Sequence, residues 1–326
     1  MTVPDDPLPE DAYLRDFLGA MGLDSALRSG WIDRLLAGER LPENAAGATL
    51  SAMLVQAGVL KNGDLTHAMR VVLDTRREIL EQKLRFLRLA ARDVAGHLDA
   101  LLTNLPRFMG ESETFALFRY DRAMTTRPED IDATRKWVDY VTALSRAEAP
   151  HLAPELPLDA VTRLLEIGGN TGVMARAVLD RHADMRATIL DLPAVCALGR
   201  ELRPHDRLTF HPGDARRDPL PEIAGRAPEA VLFKSVLHDW PEAEARALMS
   251  RALESLPPGG RIVVCERGAL GAQALPFSMT ANLVFAPFYR DPGFYERALE
   301  SAGCDLLPTR EVVLDMPFFI VCGIRK

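Results

Sequence analysis

The residue best suited to moving a proton is His238, in the run VLFKSVLHDWPEAEA. An imidazole with an ordinary pKa of about 6.5 can take and return a proton near neutral pH. Read by itself, it is equally a satisfied loop histidine. Upstream, LLEIGGNTGVMARAVL passes from an apolar run through Gly168, Gly169, Asn170, Thr171 and Gly172 into an amphipathic pattern. Glycines there let the backbone turn tightly and approach a ligand, and a following helix offers unpaired N–H groups. The spacing is neither the GxGxxG of a dinucleotide site nor the GK[ST] of a P-loop, which points away from NAD and ATP. Asp191 ends the next apolar run, 19 residues after Gly172, where a carboxylate in this type of fold accepts ribose hydroxyls. Gly213 and Asp214 follow a third run in TFHPGDARRDPLP, and Glu266 closes a later one. A carboxylate at the end of a buried strand needs a partner.

Strands must place these groups. From about residue 150 apolar runs alternate with helical patterns, and the expected strands are 163–167, 187–190, 208–211, 230–235, 261–266, 307–314 and 318–324. Such alternation implies a mostly parallel sheet covered by helices on both faces, with each motif at a strand's C-terminal end, the rim where open α/β sheets bind ligands. The last two runs are too close for a crossover helix and should pair antiparallel. Before residue 150 the pattern is helical. Amphipathic segments at 11–21, 25–36 and 49–57 and a Gly-containing GVLKNGDLT suggest a winged helix. Leu80, Leu84, Leu87, Ala91, Val94, Leu98, Leu101 and Leu105 then form a heptad stripe, one face of which must be buried inside the subunit or against a second copy. The expected division is a winged-helix-like dimerisation domain over 1–110, a helical connector over 111–150 and a Rossmann-like seven-stranded domain over 151–326. An Ala- and Pro-rich stretch, EAPHLAPELPLD, marks the last boundary.

The blocks LLEIGGNTG, TILDLP, HPGD, FKSVLHDWPE and LPPGGRIVVCERG, in this order, resemble the plant-type (class II) S-adenosylmethionine-dependent small-molecule O-methyltransferases over residues 120–326. The helical first half is similar to that family's dimerisation domain. The resemblance implies S-adenosylmethionine as cofactor, with its methionine portion cradled by Gly168, Gly169, Asn170 and Gly172 above Glu166. Asp191, with Leu192 beside it, would take the ribose hydroxyls. Gly213, Asp214 and Ala215 would hold the adenine, and Lys234 occupies the place of a cofactor-contacting lysine. His238 takes the position of the catalytic base and Glu266 that of the carboxylate that orients it. Phe118, Met124 and Phe285 are candidates for lining the acceptor pocket, together with Asp239 and Trp240 beside the base. Asp239 has a structural alternative as a cap for the helix that follows Pro241.

Two departures stand out. Asn170 replaces the middle glycine of the turn, and Asn tolerates the left-handed region better than most residues. Tyr289 and Arg290 stand where the family carries a second catalytic carboxylate. The fork of Arg290 suits a substrate carboxylate, which keeps C-methylation of an α-keto acid-like substrate open beside transfer to a hydroxyl. A cofactor-binding relative with other chemistry is a further alternative.

Composition narrows the remaining classes. A net charge of −7, and a balance of −4 over residues 1–73, disfavour nucleic acid as a partner and a DNA-binding regulator as the function. Four scattered cysteines, Cys196, Cys265, Cys304 and Cys322, show neither a disulfide framework nor a metal-ligand spacing; no metal is expected. No apolar run reaches the length of a membrane span and no basic leader is visible. The expectation is a cytoplasmic homodimer acting on a small molecule.

Overall fold

The computed structural model describes residues 7–202, 204–271 and 274–326. They form two compact units. One runs to Ala116 and includes a later segment ending at Phe285; the other holds Leu117–Gly271 and Ala286–Lys326.

In the first unit, polar caps start the helices. Asp16 accepts the N–H of Gly19 at 2.7 Å to open α1 (Phe17–Arg28). After α2 (Trp31–Leu36), Asn44 does the same for α3 (Ala45–Gln56) through Gly47 at 2.9 Å. Each such cap satisfies an N–H that the helix itself leaves unpaired. The segmentation differs from expectation: residues 9–13 form a 3₁₀ turn, and Gly30, at φ 76°, separates α1 from α2 inside the segment read as continuous. The expected hairpin is present as β1 (Leu60–Lys61) and β2 (Asp64–Leu65), with Asn62 and Gly63 both at positive φ, the signature of a tight primed turn. Helix α4 (His67–Thr75) leads to α5 (Arg77–Thr103), which buries Leu80, Leu84, Leu87 and Leu101. It packs on α1 and on a helix at Thr280–Phe285. The heptad stripe is not one seam, because His97 leaves the helical region (φ −137°, ψ 22°) and Leu98 is exposed beyond it. Two short helices, α6 (Leu105–Glu111) and α7 (Glu113–Leu117), follow.

The second unit begins with α8 (Tyr120–Ala123) and α9 (Pro128–Leu152). Helix α9 takes in the first half of the Ala/Pro-rich stretch, with Pro150 inside its last turn. The sheet follows as β3 (Arg163–Ile167), β4 (Arg186–Asp191), β5 (Leu208–Pro212), β6 (Ala230–Lys234), β7 (Arg261–Arg267), β8 (Cys304–Leu306), β9 (Arg310–Val313) and β10 (Pro317–Arg325). Helices α10 (Val173–Arg181), α11 (Pro193–Leu202) and α12 (Glu242–Ser255) connect the parallel strands. The order is β5-β4-β3-β6-β7-β10-β8, with β9 also on β10, and β10 runs antiparallel to its three neighbours. The sheet therefore has eight strands, not seven. Of the run expected at 307–314 only β9 is strand; β8 ends just before it, and the two lie at opposite ends of the same edge of β10. Pro308, which has no N–H to give, lies in the gap between them.

Pleat parity sorts the strand residues between two cores, because alternate side chains leave a strand on opposite faces. Leu164, Ile189, Ala230, Leu232, Val263 and Cys265 pack with α10 and the end of α9. Leu165, Ile167, Val231, Phe233, Ile262 and Val264 pack with α12 and a helix at Pro292–Ser301. Connections leave β3 toward β4 on one side while β6 lies on the other, so the order reverses between β3 and β6. Ligands bind at such a switch point, at the strands' C-terminal ends.

Candidate active site

The Gly168–Gly172 turn lies at that switch point, after β3. Gly168 (φ 70°) and Gly172 (φ 74°) occupy the left-handed region, and a Cβ on Gly168 would meet Val236 Cγ2 at 2.6 Å. Glycine is demanded there twice over, by conformation and by contact. Gly172 is the N-cap of α10 and has no side chain to offer. Glu166 supplies the missing cap: its Oε2 accepts the N–H of Ala175 at 3.1 Å. Burial pushes the Glu166 carboxyl up to about 8, against the pull of Lys234 and that N–H.

Asp191, at the end of β4, accepts Asn170 N–H on Oδ2 at 2.8 Å and Leu192 N–H on Oδ1 at 2.7 Å. The acid thereby ties the glycine turn to the next strand, and each oxygen keeps a lone pair for another donor. Burial pushes it up to about 6. Asn170 adopts φ 52° and Ser235, just past β6, adopts φ 54°. Both amide atoms of Asn170 and the Ser235 hydroxyl are buried without a hydrogen-bond partner among the described residues. Buried polar atoms are nearly always satisfied. Three orphans on the neighbouring strand ends β3 and β6 are what a polar ligand at the switch point would answer, and they suit the amino-acid end of a cofactor.

Asp214, in the turn opened by Gly213, is spanned by Arg216, whose Nε and Nη2 donate to its two oxygens at 3.0 and 2.8 Å. The side-chain hydrogen bonds from Arg216 hold Asp214 below the usual carboxylate range. The same guanidinium lies 4.0 Å over the ring of Trp240. Ala215 packs beneath this turn against the α12 core. The side chain of Lys234 is committed elsewhere than expected. It leaves β6 on the α9 face and its ammonium pairs with Glu148 of α9, which also accepts from Arg267 at the end of β7.

The opposite face carries the histidine. Leu237–Asp239 form a 3₁₀ turn after β6, and Glu266 of β7 holds it from below. Glu266 Oε1 accepts the N–H groups of Val236 and Leu237 at 2.8 and 2.7 Å, and Oε2 meets His238 Nδ1 at 2.6 Å. This fixes the proton on Nδ1 and leaves Nε2 as the basic nitrogen. Burial pulls the imidazole down, but the Glu266 and Asp239 carboxylates outweigh it and raise its pKa above the ordinary value. Tyr289 sets its ring edge-on to the imidazole, 5.4 Å between centroids.

Matching against known families decides what this arrangement belongs to. The O-methyltransferase domain model matches residues 113–284. The chain belongs to that family. Among curated relatives, 3-hydroxy-5-methyl-1-naphthoate 3-O-methyltransferase of Streptomyces sahachiroi is 28% identical over 190 residues, 56% of this chain and 54% of the relative. The N,N-dimethyltransferase OxyT of Streptomyces rimosus is 32% identical over 48% of this chain and 45% of its own. The matched part thus spans about half the length of these relatives. Among solved structures, the O-methyltransferase NcsB1 of neocarzinostatin biosynthesis, bound to S-adenosylhomocysteine and 1,4-dihydroxy-2-naphthoic acid, aligns with TM-score 0.64 at 20% identity, covering 96% of this chain and 98% of that one.

Within this O-methyltransferase domain, two expectations need correction. Asp239 does not cap α12: the N-cap is Pro241, which carries no such bond. Asp239 sits two residues too early, in the 3₁₀ turn, where Oδ2 accepts from the Tyr120 hydroxyl at 2.8 Å. Arg290 is not a free fork for a carboxylate. Its guanidinium donates to the carbonyl of Leu237 at 2.7 Å and to that of Trp240, bracing the turn that carries His238. Of the apolar candidates, which these contacts leave open, Phe118 packs 5.8 Å from Trp137 in the second unit, Met124 is exposed there, and Phe285 belongs to the first unit, between Phe86 and Phe115. Sequence reading missed Glu148, Arg267, Arg216 and Tyr120. Only Arg267 carried a usable signal, since it continues the alternation of Val263 and Cys265 onto the buried face.

Proposed function

We propose that the protein is an S-adenosylmethionine-dependent methyltransferase that alkylates a hydroxyl of a small, secondary-metabolite-type acceptor. The observation that carries this reading is the His238–Glu266 pair, one sheet position from the glycine turn, with Nε2 left basic. The turn, Asp191 and the orphaned groups of Asn170 and Ser235 would hold the cofactor, and Asp214 would meet its adenine in exchange with Arg216. When bound, the sulfonium supplies an electrophilic methyl group. His238 then has one task, to take the proton of the acceptor hydroxyl on Nε2, while Glu266 favours the imidazolium so formed. A positioned base of this kind contributes roughly 10² to 10⁴ in rate. The alternative, methylation of a carboxylate-bearing acceptor at carbon, is less well supported, because both terminal nitrogens of Arg290 already donate to backbone carbonyls. The first unit, with four helices and a hairpin ahead of a long helix, is read as a winged-helix dimerisation unit.

The test pairs two variants. His238→Ala is expected to lower kcat by about 10² or more with calorimetric affinity for S-adenosylmethionine unchanged. Asp191→Ala is expected to weaken that affinity about tenfold or more, since a hydrogen bond to a charged group is worth about 1.5–3 kcal/mol. In the wild type, log kcat should climb with slope one through a pKa above 6.5, because the neutral imidazole is the active form. Full turnover in His238→Ala would remove the base role.

A further inference from the structure

Asp239 stands on the far side of the His238 ring from Glu266. Its Oδ1 lies 3.4 Å from Nε2, whereas a charge-assisted hydrogen bond closes to about 2.7–2.9 Å. Its other oxygen is taken by the Tyr120 hydroxyl at 2.8 Å. Tyr120 is itself seated, with its ring 5.7 Å from that of Trp137 on α9 and 6.0 Å from that of Trp240. We propose that Tyr120 is a positioning residue whose hydroxyl holds the Asp239 carboxylate off Nε2 of His238, keeping open the nitrogen that receives the acceptor's proton.

The bond to Oδ2 fixes where the carboxylate stands, and with it the distance of Oδ1 from Nε2. An unrestrained carboxylate closes to contact on the N–H of an imidazolium and so favours that form, and a ring gripped at both nitrogens holds two protons and can accept no third. Held at 3.4 Å, Asp239 still attracts the imidazolium once the acceptor's proton has arrived, without covering Nε2. The side chain of Asp239 keeps 26% of its surface open, so it has room to move if released. The charged and titratable groups facing His238 are Glu266 and Arg267 from β7, Asp239 from its own turn, and Tyr289 by its ring edge. Asp239 is faced by His238, Glu266, Tyr120 and Arg290. Arg290 attracts Asp239 by charge, but the hydrogen bonds of its Nη1 and Nη2 go to the Leu237 and Trp240 carbonyls. Burial, with Asp239 beside it, raises the Tyr120 hydroxyl far above its ordinary pKa, so it stays a donor across the working range.

The proposal rests on the methyl-transfer reading for its role in catalysis, but its geometry can be tested without turnover. The experiment is an NMR titration of the His238 ring in wild type, Tyr120→Phe, Asp239→Asn and the double variant, with pH profiles of kcat alongside. In Tyr120→Phe the released carboxylate should close on Nε2, raising the His238 pKa by about half a unit or more and moving the rising limb of log kcat to higher pH by the same amount. In Asp239→Asn the pKa should fall, and adding Tyr120→Phe to that variant should change nothing further. A Tyr120→Phe shift of zero or downward overturns the proposal, as does an undiminished shift in the Asp239→Asn background. Should Tyr120→Phe fail to fold, Asp239→Asn alone decides: an unchanged His238 pKa would mean that Asp239 does not act on Nε2. If the titrations behave as expected but no acceptor is methylated, the functional reading fails and the positioning stands.

Discussion

Glu166 carries a proton that its surroundings force on it. With the carboxyl at about 8 in the folded chain and near 4.3 when unfolded, the native state binds the proton more tightly. Stability from this group is full below about pH 4.3 and declines as pH rises through the window up to about 8. Glutamine keeps the carbonyl oxygen for Ala175 and has no proton to lose. Glu166→Gln should therefore gain on the wild type between pH 5 and pH 8, by on the order of 1–3 kcal/mol, in urea unfolding followed by circular dichroism. A difference that does not vary with pH would mean that Glu166 is ionised throughout. This residue was legible as the acid beneath a glycine turn. Its work was not, because the sequence shows Gly172 opening a helix but not which neighbour caps it. Asp191 was legible for the same reason of spacing, while its grip on Asn170 N–H depends on two strand ends meeting.

Neighbouring strands aim two cations at one helix. Lys234 from β6 and Arg267 from β7 share the face on which α9 lies, and Glu148 answers both while buried from solvent. Burial pushes this carboxyl up, and the two cations bring it below the usual range. Removing one partner from a buried ion pair costs about 3–5 kcal/mol, because the other charge stays desolvated. Glu148→Gln should lose about that much in denaturant unfolding; a loss below about 1 kcal/mol would mean that water already reaches the cluster. Lys234 was read as a cofactor residue from the family resemblance, four residues before His238. Parity along Ala230, Leu232 and Lys234 does give its face from sequence, but the acid waiting there comes from a helix 86 residues away in the chain. The shortening of the expected strand at 307–314 to Arg310–Val313 has a plainer origin, since apolar content marked the run while Pro308 went unweighed.

For the whole molecule, the first unit leaves Phe17, Leu18, Val55 and Leu102 exposed. If two copies pair through it as proposed, light scattering at micromolar concentration should give twice the chain mass of 36.0 kDa, and charged substitutions at Phe17 and Leu102 should shift it toward one. A wild-type monomer would remove the pairing. The alternation of strands and helices made the fold class legible, since periodicity is local. The recruitment of residues 274–285 into the first unit was not, because nothing in a short apolar run says which core it joins. The sheet order also sets a sequence of events. Strand β7, which carries Glu266, has β6 on one side and β10 on the other, and β10 lies about fifty residues further on. During vectorial synthesis, which releases N-terminal segments first, β7 is an open edge until Pro317–Arg325 emerges to pair with it. Glu266 bonds to residues 236–238 on the β6 side and does not wait for that pairing, but a ribosome that stalls before Pro317 leaves the other edge of β7 as an open template for a further strand.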